Sequence, residues 1–277
     1  MVMPKFPASS HVFEKMSLNI CVDDKSFDLS SKHWRNHSAP YRNMTARDAI
    51  SDLPACNKGQ NVQLVEPMSW FQRMMRYCPK NGAMLSQVSH HEEKSFSEII
   101  MARINHIPKT LGADWRDLPN KTVLLPSGKK ANKLKYPYID IKTKKRAVCY
   151  CSVSKDGKCR VMDRQENTLI PYSLVHRAGS HNRWKNCYGR THWDTYFSTV
   201  TTNVHPDGKQ GRVLHPEQNR ILSVREYARS QGFPDSSEFF GSILEKYKQI
   251  GNAVPPPMAK ALGISILCAQ VERQNSD

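Results

Sequence analysis

The sequence predicts an α/β chain with an incomplete sheet, in which helical segments bracket an irregular, mostly β middle. Three observations carry this. Helix-start signals of the Ser/Thr-x-x-acid type fall at Thr45, Ser95 and Ser223. Residues 109–210 hold only short strand-like runs between Gly, Pro and Lys-rich stretches. From Met258 to Val271 apolar residues recur with helical spacing.

Taken in order, Leu18 to Val22 predicts a strand ending in the Asp23-Asp24 turn. Thr45-x-x-Asp48 opens a short helix that runs through Ile50 and is ended by Pro54. Asn57 to Val62 is a polar loop, and Trp70 to Tyr77 a short amphipathic helix. Ser95-x-x-Glu98 is expected to cap a helix carrying Ile99, Ile100, Ile104 and Ile107, with Pro108 as the stop. Strand-like runs follow at Thr122 to Leu125, Tyr138 to Ile141 and Tyr196 to Thr201. Ser223-x-x-Glu226 opens another helix, which Gly232 and Pro234 stop. Asp235 to Gln249 holds one or two short helices. Pro257 sits in the first turn of the last helix, where a missing amide hydrogen costs nothing. No internal repeat is present.

The 277 residues carry 41 Lys+Arg against 25 Asp+Glu, a formal charge of +16. This excess points to a polyanionic partner such as nucleic acid. The cations cluster at Lys129, Lys130, Lys133 and Lys135, and again from Lys142 to Arg146, which favours a patch over scatter. Apolar stretches are too short to span a bilayer, and the first residues do not form a secretory signal. No membrane partner is expected.

Cys149-x-Cys151-x7-Cys159-x16-His176 offers three soft thiolates and an imidazole, a donor set suited to tetrahedral zinc. On spacing alone His181 and His192 compete for the fourth place. A region with so little regular core needs a staple of this kind.

The end of the chain is the most distinctive. Gly211 to Arg220, Gln231-Gly232-Phe233-Pro234 and Gly251-Asn252-Ala253-Val254 followed by three prolines hold a fixed order. They resemble the closing portion of a DNA (cytosine-5) methyltransferase. Thr45 to Pro54, His106-Ile107-Pro108, Asp114 to Asn120, Asn167 to Pro171 and Gly208 to Arg212 are similar to the catalytic half of the eukaryotic maintenance subfamily. The resemblance runs from about His11 to the final helix.

It implies the C-terminal part of an S-adenosylmethionine-dependent, Rossmann-like methyltransferase. Residues 1–44 would be the tail end of the methyltransferase sheet region. Residues 45–210 would be a zinc-stapled target recognition domain, and 211–277 the returning methyltransferase segment. The resemblance favours Cys149, Cys151, Cys159 and His176 as structural zinc ligands. It places Asn252 and Val254 at the S-adenosylmethionine site. It also makes Lys209, Gln210 and Arg212 the loop that reads CpG in double-stranded DNA, with Trp184 on a second loop. Such chemistry fits these residues: Lys and Gln suit base edges, Arg suits phosphate, and Trp stacks on bases. The nucleus is the implied compartment.

Two departures from the family follow. No cysteine here follows a proline, no two glycines are spaced two apart, and Glu166-Asn167-Thr168 falls inside the recognition region. The Pro-Cys-Gln nucleophile, the Phe-x-Gly-x-Gly cofactor turn and the Glu-Asn-Val acid are thus missing from these 277 residues. The chain is expected to be a fragment beginning after those motifs and inactive alone. Second, the subfamily's pocket for a parental 5-methyl group matches Ser173, Leu174, Trp184, Cys187 and Asp207, of which only two are the subfamily's residue. An acid at Asp207 suits a methyl group poorly, so a preference for hemimethylated CpG does not follow. Two other readings stand beside the fragment: a stand-alone zinc-stabilised DNA-binding module, and one half of a split methyltransferase whose N-terminal catalytic half is a partner chain.

Overall fold

The computed structural model describes residues 4–8, 10–11, 19–22, 25–28, 39, 41–56, 62–155, 157–178, 186–208 and 212–275. Strands β1 (Asn19–Val22) and β2 (Lys25–Asp28) pair antiparallel, with Asn19 opposite Asp28. Helix α1 (Ala46–Ile50) begins at a reciprocal capping box between Thr45 and Asp48. Strand β3 (Val62–Gln63) leads to α2 (Trp70–Arg76), capped in the same way by Ser69 and Gln72. The short strands β4 (Tyr77–Cys78), β5 (Ala83–Met84) and β6 (Gln87–Val88) follow. Helix α3 (Glu98–His106) closes the first part of the chain.

In the middle, β7 (Val123–Leu124) pairs with β8 (Lys130–Ala131), and β9 (Tyr138–Ile139) with β10 (Arg146–Ala147). Short 3-10 turns at Tyr150–Ser152 and Val161–Asp163 lead to α4 (Tyr172–Ala178). After this come α5 (Val224–Ser230), α6 (Ile243–Asn252) and α7 (Pro256–Gln274). Helix, strand and irregular chain are mixed, as expected. Among the described residues the strands form five two-stranded antiparallel sheets and no larger one, so a Rossmann-like sheet does not lie within them.

The main core gathers Ile50, Leu53, Ile104, Ile107 and Trp115 with Leu214, Ile221, Val224, Tyr227, Tyr247 and Ile250. Two satellite cores lie in the middle region. One is Leu125, Ala131 and Leu169; the other is Leu134, Val148 and Cys149. Ser223 and Glu226 cap α5 reciprocally, and Gly232 ends it in the left-handed conformation at φ +77, where a side chain would be strained.

Two expectations need correction. The N-cap of α3 is Ser97, not Ser95, so Glu98 lies at the first helical position and cannot close a box. Its carboxylate instead accepts from the Ser127 amide at 3.2 Å, tying α3 to the β7–β8 turn. Residues 196–201 form no strand; Phe197 and Val200 pack singly on the core, and the Thr201 amide donates to the Tyr227 hydroxyl at 2.6 Å. Asp235 to Gln249 holds one helix, within the one or two expected: α6, capped by Ser242 and Glu245.

The positive excess is also not all surface. Arg76, Arg190, Arg220, Arg225 and Arg229 are buried. Asp52 accepts from both Arg76 and Arg229, Asp235 takes two further nitrogens of Arg229, and Glu226 takes two of Arg220. Arg190 and Arg225 have no such acid. Arg190 is held by the carbonyls of Ile107, Pro108, His215 and Gln218 and by Asn219, and Arg225 by those of Ser89, Pro234 and Ser237. Burial pushes the Arg225 guanidinium down to about 10.

Candidate metal centre and nucleic-acid interface

Cys149 occupies an extended position just before the 3-10 turn Tyr150–Ser152, and Cys151 lies within it. The tight turn brings the two sulfurs of a Cys-x-Cys pair to one point. Cys159 follows on the next loop, and His176 is on α4. The Cys149, Cys151 and Cys159 sulfurs and one His176 nitrogen all lie within 4.8 Å of one another. His176 Nε2 is 3.1 Å from Cys151 Sγ and 3.2 Å from Cys159 Sγ. A zinc tetrahedron with Zn–S of about 2.3 Å and Zn–N of about 2.0 Å has edges of roughly 3.6–3.8 Å, so the spread is that of a metal site.

Supporting contacts fix the donors. Tyr172 stacks on His176 one helical turn away, at 5.5 Å and 20°. The Asp163 carboxylate accepts from the Tyr150 amide at 2.9 Å and the Tyr138 hydroxyl at 2.7 Å, with Cys149 Sγ at 3.8 Å. Arg160 lies 3.5 Å over the Tyr150 ring. Burial and the adjacent sulfurs push the Cys151 thiol up to about 12. Three thiols so close cannot all ionise beside one another, and a divalent cation removes that conflict. The donor set therefore fits zinc, with four protein ligands and no open position. His192 is not part of the cluster; its Nδ1 accepts from the Asp194 amide at 3.3 Å. His181 lies outside the described residues.

Trp184, Lys209 and Gln210 also lie outside the described residues, but the segments that flank them are described. Arg212 is half-buried. Its amide donates to Ser198 Oγ at 3.1 Å and its Nε donates to Asn186 Oδ1 at 3.2 Å. A Cβ on Gly189 would sit 2.9 Å from Arg212 Cγ, so only glycine lets the arginine stem pass. Asn186 and Arg212, which border the stretches 181–185 and 209–211, are thus joined to each other. Buried Cys187 donates to the Gly208 carbonyl at 3.3 Å. Leu174 is buried, and Ser173 and Asp207 are exposed. The His205 imidazole bonds the Asp207 carboxylate and holds it below the usual carboxylate range, so this acid stays ionised.

Asn252 ends α6 and Val254 follows it, and both are exposed. Gly251 and Asn252 form the last turn of α6. There Gly251 meets backbone: a Cβ would fall 2.6 Å from Thr201 C. Asn252 borders an open depression with Phe240, Gly241, Glu245, Lys248 and Gln249. Sequence reasoning missed Asp163 and Asn186, which no spacing signals. Tyr172 was legible in principle as the residue four before His176 on a helix.

The family model for C-5 cytosine-specific DNA methylase matches residues 73–268. The chain is 47% identical over 277 residues to DNA (cytosine-5)-methyltransferase 1 of Gallus gallus, covering 95% of this chain and 17% of that protein. It is 47% identical to the Mus musculus protein of the same name over 279 residues, covering 96% and 17%. It is 38% identical to DNA (cytosine-5)-methyltransferase 1A of Oryza sativa subsp. japonica over 265 residues, covering 94% and 14%. The chain thus spans less than one-fifth of the length of these relatives. A match over most of the chain, together with the Cys/His cluster, makes this chain a member of the C-5 cytosine-specific DNA methylase family.

Proposed function

We propose that these residues form the DNA-reading part of a nuclear cytosine-5 methyltransferase acting on CpG. The observation that carries this is the convergence of Cys149, Cys151, Cys159 and His176 in a chain of this family. Residues 45–210 serve as the target recognition domain, with 1–44 and 211–277 belonging to the methyltransferase body. A zinc ion held by the four donors would fix the loop Cys149 to Cys159 against α4. It would act structurally.

Arg212 positions the loop that carries Lys209 and Gln210, which contact the CpG base edges from the major groove, while Trp184 approaches from the neighbouring loop. S-adenosylmethionine, when bound, supplies the methyl group. Asn252 and Val254 give it one edge, and both are too exposed to enclose it alone. Helix α7 exposes Met258, Ile264, Ile266, Leu267 and Val271, apolar surface that suits packing against further methyltransferase structure. This favours the fragment or split-enzyme reading over a self-sufficient module.

Three measurements test the proposal. Elemental analysis of protein prepared without added metal is expected to return one zinc per chain, and finding none removes the metal centre. Duplex binding is expected to weaken steeply with salt; a flat dependence removes the DNA reading. Labelled S-adenosylmethionine is expected to give no methyl transfer with residues 1–277 alone. Transfer restored by a separate chain carrying the Pro-Cys-Gln segment would select the split enzyme.

A further inference from the structure

The tip of the β9–β10 hairpin carries Lys142, Lys144, Lys145 and Arg146, all exposed. None of them forms an ion pair with a described residue. The one acid in the turn, Asp140, is occupied by the turn itself. Its Oδ1 accepts from the amides of Lys142 and Thr143 at 3.0 and 2.6 Å and from the Thr143 hydroxyl at 2.9 Å. The Asp140 amide donates to the Lys145 carbonyl at 2.8 Å, and the Lys144 amide to the Asp140 carbonyl at 2.9 Å.

Lys144 adopts φ +58 in this turn, a conformation that favours glycine or asparagine. A lysine kept in a strained position, among three other unneutralised cations, marks a place where charge outweighs local comfort. The hairpin is also anchored. Tyr138 is bonded to Asp163 at 2.7 Å, and the Ile141 amide donates to the Ser152 carbonyl at 3.3 Å. The tip is therefore a fixed projection of the Cys/His lobe.

We propose that this hairpin tip is a separate DNA contact that grips backbone phosphates beside the site read by the two loops. The inference rests on the DNA-binding reading above and adds to it a partner for the tip. A duplex presents about one negative charge per 1.7 Å of axis, a density that matches four cations in five residues. Contacts of this kind fix register on the duplex and carry no base information.

The test is duplex binding against salt, on a CpG duplex and a CpG-free duplex of equal length, using zinc-loaded protein. The variant joins Lys142→Gln, Lys144→Gln, Lys145→Gln and Arg146→Gln. A control of equal charge joins Lys109→Gln, Lys121→Gln, Lys248→Gln and Lys260→Gln. Zinc content and thermal midpoint matching the wild type establish that each variant is folded. The hairpin variant is expected to flatten the slope of log K against log salt by about 0.9 for each phosphate it no longer neutralises, to a total of about 2–4. It should weaken both duplexes equally, at least about tenfold near physiological salt, while the control changes the slope by less than about one.

If the fourfold variant is unstable, Lys142→Gln with Lys145→Gln is expected to give about half the fall. An unchanged slope, an equal fall in the control, or a loss confined to the CpG duplex overturns the inference. Wild-type protein that binds neither duplex overturns the proposed function along with it, an outcome distinct from the others.

Discussion

Around α5 the arginines are the centre of the structure, whereas between Asn120 and Ala178 the lysines face outward and a Cys/His cluster sits inside. The first region buries Arg220, Arg225 and Arg229 and neutralises them with Asp52, Asp235, Glu226 or carbonyls. The second has two small cores, Leu125, Ala131 and Leu169 in one and Leu134, Val148 and Cys149 in the other, the latter including a residue of the donor cluster. Both regions must accommodate cations, one beside the main core and the other beside two small ones. One solves the problem by pairing charge internally within regular helices. The other exports charge to the surface and relies on ligands converging on a point. The difference predicts that the two should fail independently and under different insults.

The largest effect should come from removing the proposed zinc. A strong chelator is expected to unlock residues 134–178 while α5 and α6 keep their amide protection, as read by hydrogen exchange. Structural zinc contributes on the order of 10 kcal/mol in small domains. Loss of protection across the whole chain would merge the two regions into one cooperative unit. Next, Asp52→Ala leaves two buried guanidinium groups short of an acid. It should destabilise the helical region by about 3–5 kcal/mol in urea titration, with zinc stoichiometry unchanged. A change below about 1 kcal/mol would show that Asp235 alone suffices.

Acid should act on the helical region through His215. Its Nδ1 accepts from the amides of Glu217 and Gln218 at 3.1 and 3.0 Å, so a proton there would face two donors. Burial pushes this imidazole down to about 4. A depressed histidine stabilises the fold above its ordinary value near 6.5, and that contribution is lost as pH falls from there toward 4. The urea midpoint at pH 4.5 should drop relative to pH 7.5 by an amount worth up to about 3 kcal/mol. His215→Gln should remove most of that pH dependence. The smallest effect is Gly251→Ala, whose new methyl meets the Thr201 backbone and should cost about 1–3 kcal/mol. If the cost is absent, the last turn of α6 gives way, and the contact sets no limit there.

The helical region was far more legible in sequence than the Cys/His lobe. Thr45 with Asp48 and Ser223 with Glu226 cap helices as their spacing implies, because capping is a local interaction across three residues. Ser95 misled because Ser97 lies two residues on and equally suits an N-cap, and Glu98 found a partner in Ser127 across the fold. The three cysteines were legible as candidate ligands, because soft thiolates at this spacing suit zinc. The choice of His176 over His192 needed the resemblance, because nothing in the spacing says that α4 turns its imidazole inward. Asp163, Asn186 and the acid partners of the buried arginines were illegible. Asp52 and Arg229 lie 177 positions apart and meet only when the chain folds back on itself.

The bond from Arg212 to Asn186 ties two described positions 26 residues apart in the chain, the first also held by Ser198. Gly189 lies between them, so near to both the Asn186 carbonyl and the Arg212 side chain that a methyl group there would meet each. One small residue therefore sets the spacing of two distant points of the chain, and a substitution at Gly189 bears on Asn186 and Arg212 together.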